Sequence, residues 1–121
     1  MPVSQREVYI IPPPFNQELE PHPFIVLSCH EANSNENTFI AVMVTSSDLY
    51  KDDYSFDLQD EMFESPLPKK NSHVRMHLFT LCYDTEVLGN RINVMKPKYF
   101  KQLLKSIGEM IFEYRFEPLN I

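Results

Sequence analysis

The chain has 121 residues, of which 43% are hydrophobic and 23% charged, and this is the composition of a soluble globular protein with one hydrophobic core. Its longest apolar stretches, Phe24–Leu27 and Phe39–Val44, are far shorter than the roughly 20 residues that span a bilayer, and its N-terminus lacks a signal-peptide pattern. We therefore expect one cytoplasmic domain over residues 1–121, with no membrane association.

Charge is distributed unevenly along the chain, whose formal net charge is −6. Up to Pro68, two basic residues stand against twelve acidic ones, whereas from Lys69 onward nine basic residues stand against five acidic ones. A phosphate-binding surface, if the protein has one, therefore belongs to the second half, because the first half would repel a nucleic-acid backbone. The same asymmetry also fits two solvated faces that bind no ligand.

The first half of the chain predicts four short β-strands. Val8–Ile11 is rich in β-forming residues and ends at three prolines, which cannot donate to a sheet. Phe24–Leu27 is a wholly apolar strand, and the turn-forming residues of Glu31–Asn37 predict a hairpin connection after it. Thr38–Thr45 has apolar residues on both faces, which predicts a central strand. A half-buried strand is indicated by alternate apolar residues at Tyr54, Phe56 and Leu58.

The next predicted strand starts at His73 and continues to Leu81 or Tyr83. Its period of two places three side chains that can carry positive charge on one face, namely His73, Arg75 and His77. The same period places three apolar side chains in the core, namely Val74, Met76 and Leu78. A further short strand, Arg91–Met95, follows a predicted turn at Gly89 and Asn90.

The last predicted element is a helix over Pro97–Phe112, whose proline suits a first helical turn. An apolar stripe at helical spacing contains Phe100, Leu103, Leu104, Ile107, Ile111 and Tyr114. Five to seven short strands followed by one helix predict a mainly β, β-rich α+β fold. The simplest such fold is a small curled barrel with a C-terminal helix.

Cysteines and histidines offer two further possibilities. Cys29 and Cys82 lie in apolar segments, so we expect buried free thiols rather than a disulfide. Four histidines leave a zinc site open as an alternative, because His73 and His77 share a strand face. No neighbouring cysteine or carboxylate pattern completes such a site.

Short motifs in a recognisable order carry a family resemblance over nearly the whole chain. One family has an opening strand and proline turn that are similar to Glu7–Phe15. Its motif "R-P-V-L-V-V-S" is similar to Pro23–Ser28, and its motif "V-P-I-T-S" is similar to the strand that ends at Thr45-Ser46. His73–His77 is similar to that family's "V-R-x-D" strand, and the segment from Leu88 through the last helix is similar to its Kid branch. The sequence thus resembles the PemK/MazF/Kid-type toxins of type II toxin–antitoxin systems.

This resemblance implies an SH3-like barrel and a hydrolase that acts as a metal-independent endoribonuclease on single-stranded RNA. Such an enzyme sets the ribose 2′-OH against the neighbouring phosphate, and it needs a base, an acid and a fixed cation. Arg75 matches the family's strand arginine and is expected to stabilise the phosphate. Thr45 and Ser46 match the "T-S" pair and are expected to contact the RNA.

Three positions depart from the family's pattern. His22 stands where the family has an arginine before its proline, His77 replaces the acid of "V-R-x-D", and Asn16 replaces an upstream histidine. Because imidazoles titrate near neutral pH, we expect His22 and His77 to form an acid–base pair around Arg75. Asn16 and the strand residue His73 are further candidates for contacts with RNA.

The resemblance also implies a homodimer that a separately encoded antitoxin neutralises by occupying the RNA groove, with no cofactor. Two alternatives within the fold are a catalytically inactive member and a gyrase inhibitor like CcdB. The CcdB type ends in a tryptophan-containing tail, whereas this chain has no tryptophan and ends with Glu117–Ile121. A third alternative is an unrelated SH3-like interaction module, which would be a monomer without toxicity.

Overall fold

The computed structural model describes residues 3–116, so the terminal segment Glu117–Ile121 lies outside the described residues. The elements of the described part follow one another as β1 Glu7–Ile11, β2 His22–Val26, α1 His30–Glu36, β3 Thr38–Thr45, β4 Ser55–Asp57, β5 His73–Tyr83, β6 Leu88–Val94 and α2 Pro97–Ile111. No helix in this part of the chain is long and apolar enough to cross a membrane.

The strands form one antiparallel sheet in the order β4-β5-β3-β2-β1-β6. The chain that follows β4 meets the chain that follows β6, where Phe63 bridges Met95. Two backbone hydrogen bonds flank this bridge, one from Glu64 N to Val94 O at 3.0 Å and one from Lys96 N to Met62 O at 2.8 Å. Because these contacts join the two ends of the sheet, it curls into a small barrel. The prediction of a mainly β barrel with a C-terminal helix is confirmed.

Strand β3 separates two hydrophobic clusters, as its two apolar faces predict. Val42 and Val44 face the cluster that includes the buried helix residues Phe100, Leu103 and Ile107. Alternate residues of β3 face the other cluster, with Phe24 and Cys82, and these are Phe39, Ala41 and Met43. The central position predicted for Thr38–Thr45 is therefore confirmed with the same bounds.

Strand β5 carries a bulge that the regular alternation did not predict. Val42 pairs with Phe79 and Val44 pairs with Val74, so four residues of β5 stand opposite Met43 alone. The extra residues break the period of two. As a result Val74, Met76 and Phe79 pack with the first cluster, whereas Leu78 packs with the second. The prediction that Leu78 shares a face with Val74 and Met76 was therefore wrong.

The segment Glu31–Asn37 does connect two adjacent antiparallel strands, β2 and β3, as predicted, but it forms helix α1 instead of the turn that its composition suggests. Asn33 is buried, and its side-chain amide donates to Val3 O at 2.9 Å and to Ser28 O at 3.1 Å. The helix ends at Asn37, which adopts the left-handed conformation with φ of 56°. These tertiary hydrogen bonds outweigh the low helix propensity of the segment.

The turn before β6 lies at a different place from the one predicted. It is a single 3-10 turn at Asp84–Glu86, where the Glu86 carboxylate accepts from Tyr83 N at 2.7 Å. Gly89 lies inside β6 with φ of +77°, on the strand that pairs with β1 across a register shift. The glycine therefore marks a β-bulge and not the turn that the sequence predicts.

Three residues that were predicted to be buried are exposed. Leu104 belongs to the predicted apolar stripe of α2 but is 38% exposed. Helix α2 ends at Ile111, so Tyr114 lies beyond it and is 87% exposed instead of continuing the apolar stripe. Both cysteines are free, as predicted, but Cys29 is exposed and only Cys82 is buried.

The two thiols should therefore react differently with iodoacetamide. Burial raises the pKa of the Cys82 thiol to about 12, so at pH 8 it stays almost wholly protonated, and it is also inaccessible. Mass spectrometry of the folded protein should find one adduct, on Cys29, and two adducts after unfolding. Cys29→Ser provides the control and should give none while folded. Equal labelling of Cys82 in the folded protein would contradict this packing.

Candidate functional site

A cleft of about 560 Å³ opens beside the start of β2 and the end of β3. Part of its wall is apolar and comes from the barrel interior, including Ile25, Val44 and Phe63. Its polar lining brings together residues that are distant in sequence, among them His22, Thr45, Ser46, Lys69 and Ser72. Three residues that the sequence nominates separately, His22, Thr45 and Ser46, therefore share one cavity.

His22 is the first residue of β2 and is oriented by its own backbone. Its Nδ1 lies 2.6 Å from the carbonyl oxygen of Glu20. Because a carbonyl oxygen only accepts hydrogen bonds, Nδ1 carries the proton in this contact. The neutral ring then presents an unprotonated Nε2, which is the form that a general base requires.

Thr45 and Ser46 lie at the end of β3, where the chain leaves the sheet. Thr45 is 6% exposed, and its Oγ1 accepts a hydrogen bond from Ser47 N at 3.2 Å. This local bond fixes the turn and leaves the hydroxyl proton of Thr45 available as a donor. Ser46 is half-buried in the cleft lining.

Arg75 and His77 form a second polar group on β5, and neither lines the cleft. Arg75 Nη2 lies 3.3 Å from His77 Nε2. A guanidinium can only donate, so Nε2 of His77 accepts and the imidazole is neutral in this contact. His77 itself is exposed, whereas Arg75 is half-buried.

Two tyrosines lie against this arginine–histidine pair. The Tyr50 ring centroid is 4.9 Å from Arg75 Cζ, which is within cation–π range. The Tyr54 ring lies 5.8 Å from the His77 ring, at an interplanar angle of 60°. Sequence reasoning missed both tyrosines and Lys69 of the cleft. The tyrosines occur in an acidic segment without a motif, so the sequence gives no indication of their position. For Lys69 the only indication is that it begins the basic half of the chain.

The structure does not place two of the predicted RNA contacts in the cleft. His73 is fully buried where β5 runs between β3 and β4, and it pairs with Thr45 and Asp57. It therefore cannot contact RNA in this conformation, although it shares a strand with Arg75. Asn16 is exposed in the loop before β2, where its Oδ1 accepts from Glu18 N at 3.0 Å.

The cleft and the Arg75–His77 pair are linked through one residue pair of the sheet, Thr45 and His73. Thr45 lines the cleft and is the Cα partner of His73, and Arg75 follows His73 two residues along β5, about 7 Å away. The two predicted imidazoles are thus divided, with His22 in the cleft and His77 beside Arg75. Among residues 3–116 no three His, Cys, Asp or Glu side chains lie close enough to hold a metal ion.

Comparison with known proteins identifies both a family and a fold. A sequence model described as "PemK-like, MazF-like toxin of type II toxin-antitoxin system" matches residues 4–111. No curated protein matches the chain in sequence.

Solved structures with very low sequence identity share the fold. MazF from Deinococcus radiodurans superposes with a TM-score of 0.69 at 13% identity, covering 92% of this chain and 97% of that one. A MazE–MazF structure from the same organism gives 0.67 at 12% identity and covers 94% and 99%. A mycobacterial endoribonuclease in complex with its cognate antitoxin gives 0.65 at 11% identity and covers 88% and 90%.

The tautomers of the two site histidines provide a direct test of this geometry. At a pH where the rings are neutral, ¹⁵N–¹H correlation spectra should show both His22 and His77 with the proton on Nδ1. In Arg75→Ala, His77 should lose its donor and change its ring shifts, whereas His22 should not change. The exposed His30, which lies elsewhere, provides the reference. A proton on Nε2 of His22 would contradict the bond to Glu20.

Proposed function

The chain belongs to the PemK-like, MazF-like toxins of type II toxin–antitoxin systems, and on that premise we propose that it is an endoribonuclease that cleaves single-stranded RNA in the cytoplasm without a metal ion. One observation carries the proposal. The Thr45–His73 pair joins the cleft that holds His22 to the strand that presents Arg75 and His77. The cleft and the Arg75–His77 pair are therefore attached to neighbouring strands of one sheet, and in this proposal a single RNA strand reaches both.

Arg75 is the phosphate-binding group in this proposal. Its planar guanidinium keeps its charge at any physiological pH, and it can grip two phosphate oxygens at once. Charge accumulates on the phosphate oxygens when the 2′-oxygen attacks phosphorus, so a fixed cation lowers the barrier. Lys69 at the cleft adds positive charge, and the hydroxyls of Thr45 and Ser46 donate to the RNA backbone.

The two imidazoles divide the proton transfers between them. His22 Nε2 takes the proton of the ribose 2′-OH as the 2′-oxygen forms its bond to phosphorus. When Arg75 turns from His77 to the phosphate, His77 serves as the acid that gives a proton to the departing 5′-oxygen. The products are a 2′,3′-cyclic phosphate and a free 5′-hydroxyl, and before the next turnover His22 gives its proton to water while His77 takes one from water.

Regulation by a partner protein is part of the same proposal. Several solved structures that share this fold are complexes, including a mycobacterial endoribonuclease with its cognate antitoxin. We infer that a separately encoded antitoxin binds this chain as well, and that it covers the cleft.

A second copy of the chain is the proposed partner on another face. Ile40 and Leu81 are cross-strand partners on β3 and β5, and they are 41% and 55% exposed. Phe112 lies nearby on the same side, 60% exposed, with its ring 5.1 Å from Phe79. Exposed apolar side chains grouped in this way are typical of an interface, and they support a homodimer.

Cleavage of mixed-sequence single-stranded RNA in EDTA tests the activity. Wild-type protein should release fragments with 2′,3′-cyclic phosphate ends. Arg75→Ala should lower kcat/KM by roughly 100- to 1,000-fold, and His22→Ala or His77→Ala by roughly 100- to 10,000-fold.

His30→Ala is the matched control, because His30 is an exposed histidine on α1, which is not part of the cleft, and its removal should leave the rate unchanged. RNA of every tested sequence remaining intact with wild-type protein would reject the nuclease and favour the inactive alternative. Full activity in Arg75→Ala would reject the assigned site.

A further inference from the structure

The segment between β3 and β4 holds two exposed aromatic rings beside the proposed phosphate-binding group. Tyr50 lies over the Arg75 guanidinium and Tyr54 lies against the His77 ring, at the distances given above. Tyr50 is 47% exposed and Tyr54 is 44% exposed. Each ring therefore uses one side for its contact with β5 and leaves a large part of its surface to solvent.

The backbone that carries these two rings is fixed by hydrogen bonds. Tyr54 N donates to Asp52 Oδ1 at 2.9 Å, and Tyr54 O accepts from Met76 N of β5 at 3.0 Å. Tyr50 N donates to Ser47 O at 3.3 Å, and Ser47 is itself fixed by Thr45. A ligand that binds both rings would therefore lose little conformational entropy in ordering the segment that carries them.

Charge determines which part of a nucleic acid this segment can accept. Asp48, Asp52 and Asp53 are exposed on it, whereas Asp57 is paired with Lys51 at 3.0 Å. Carboxylates repel phosphate, so a strand that approaches the segment must place its phosphates on the Arg75 side. The neutral tyrosine rings then face the bases, and stacking on a ring needs no charge.

We propose that Tyr50 and Tyr54 form a stacking subsite for a nucleobase of single-stranded RNA, next to the phosphate that Arg75 binds. The proposal rests on the proposed function, since it assumes that RNA occupies this surface. Arg75 then has two roles. The edge of its guanidinium group contacts the phosphate, and the flat face of the same group packs against Tyr50, on which the base stacks. The subsite selects unpaired RNA, because a base inside a duplex cannot reach the rings.

If Tyr50 instead shields Arg75 from RNA, its removal has the opposite effect on RNA affinity. Arg75 Nε is buried and has no hydrogen-bond acceptor among residues 3–116, so Tyr50 could act as a cover that keeps RNA away from the guanidinium. Removing a cover would strengthen RNA binding, whereas removing a stacking partner weakens it. The sign of the effect on affinity therefore separates the two roles.

The test measures binding to a short single-stranded RNA that carries 2′-deoxy nucleotides, which lack the attacking hydroxyl and cannot be cleaved. Fluorescence anisotropy should show that Tyr50→Ala weakens binding by about 5- to 150-fold, the range expected for one stacked base. Tyr50→Phe should bind as wild type does, because it keeps the ring. Tyr54→Ala should weaken binding in the same direction.

Abasic nucleotides placed at each position of the oligonucleotide complete a double-mutant cycle. At one position the abasic substitution should weaken binding to wild type and to Tyr50→Phe, but should have no further effect on Tyr50→Ala. Leu49→Ala is the matched control, since Leu49 is an 88% exposed apolar residue of the same segment and should bind as wild type does.

The results separate this inference from the function on which it rests. If wild type binds no single-stranded RNA, the proposed function fails. If wild type binds and Tyr50→Ala binds equally well, or more tightly, the stacking subsite is rejected and the nuclease proposal remains. Melting temperatures of all variants, expected within a few degrees of wild type, show that lost binding does not arise from unfolding.

Discussion

The pairing of β3 with β5 is the constraint on which the rest of the site depends. The register shifts between Val42 and Val44, and four residues of β5 stand opposite Met43 alone. Arg75 and His77 belong to this extra stretch, which is also where the alternation of buried and exposed side chains breaks. Bulges next to functional sites often redirect side chains in this way. Within this stretch Arg75 and His77 lie two residues apart on one strand face, where they contact each other and the two tyrosines.

Beyond the bulge, β3 and β5 pair again, and the Thr45–His73 pair lies between two chemically different groups of side chains. On one side of the Thr45–His73 pair lies a partly apolar cleft with His22, and on the other side lies the Arg75–His77 pair. His73 in the middle is fully buried, and its backbone pairs with Thr45 on one side and Asp57 on the other. A strand of RNA laid across this pair would meet a base, a cation and a second imidazole in turn.

Sequence periodicity predicted the fold because the core is built from regular strands and one amphipathic helix. Thr38–Thr45 has the predicted bounds, and the apolar stripe of α2 buries Phe100, Leu103 and Ile107. The failures occurred where long-range contacts override local preference. Asn33 turns a polar loop into a helix through bonds to Val3 and Ser28, and these partners cannot be read from the segment itself.

The site was predicted less completely, for a physical reason. A period of two gives the same face to His73, Arg75 and His77, but the neighbouring strands bury only the first of them. The motif positions identified His22, Thr45 and Ser46, which do share a cleft. Tyr50 and Tyr54 could not be found in this way, because their role depends on how an irregular segment folds back onto β5.

The central claim is that the cleft and the Arg75–His77 pair form one RNA surface. A crystal structure with an uncleavable single-stranded RNA tests it most directly. We expect one strand that crosses the Thr45–His73 pair, with its scissile phosphate on Arg75 and the preceding 2′ position beside His22 Nε2. An RNA strand confined to the cleft, with Arg75 still bonded to His77, would contradict it.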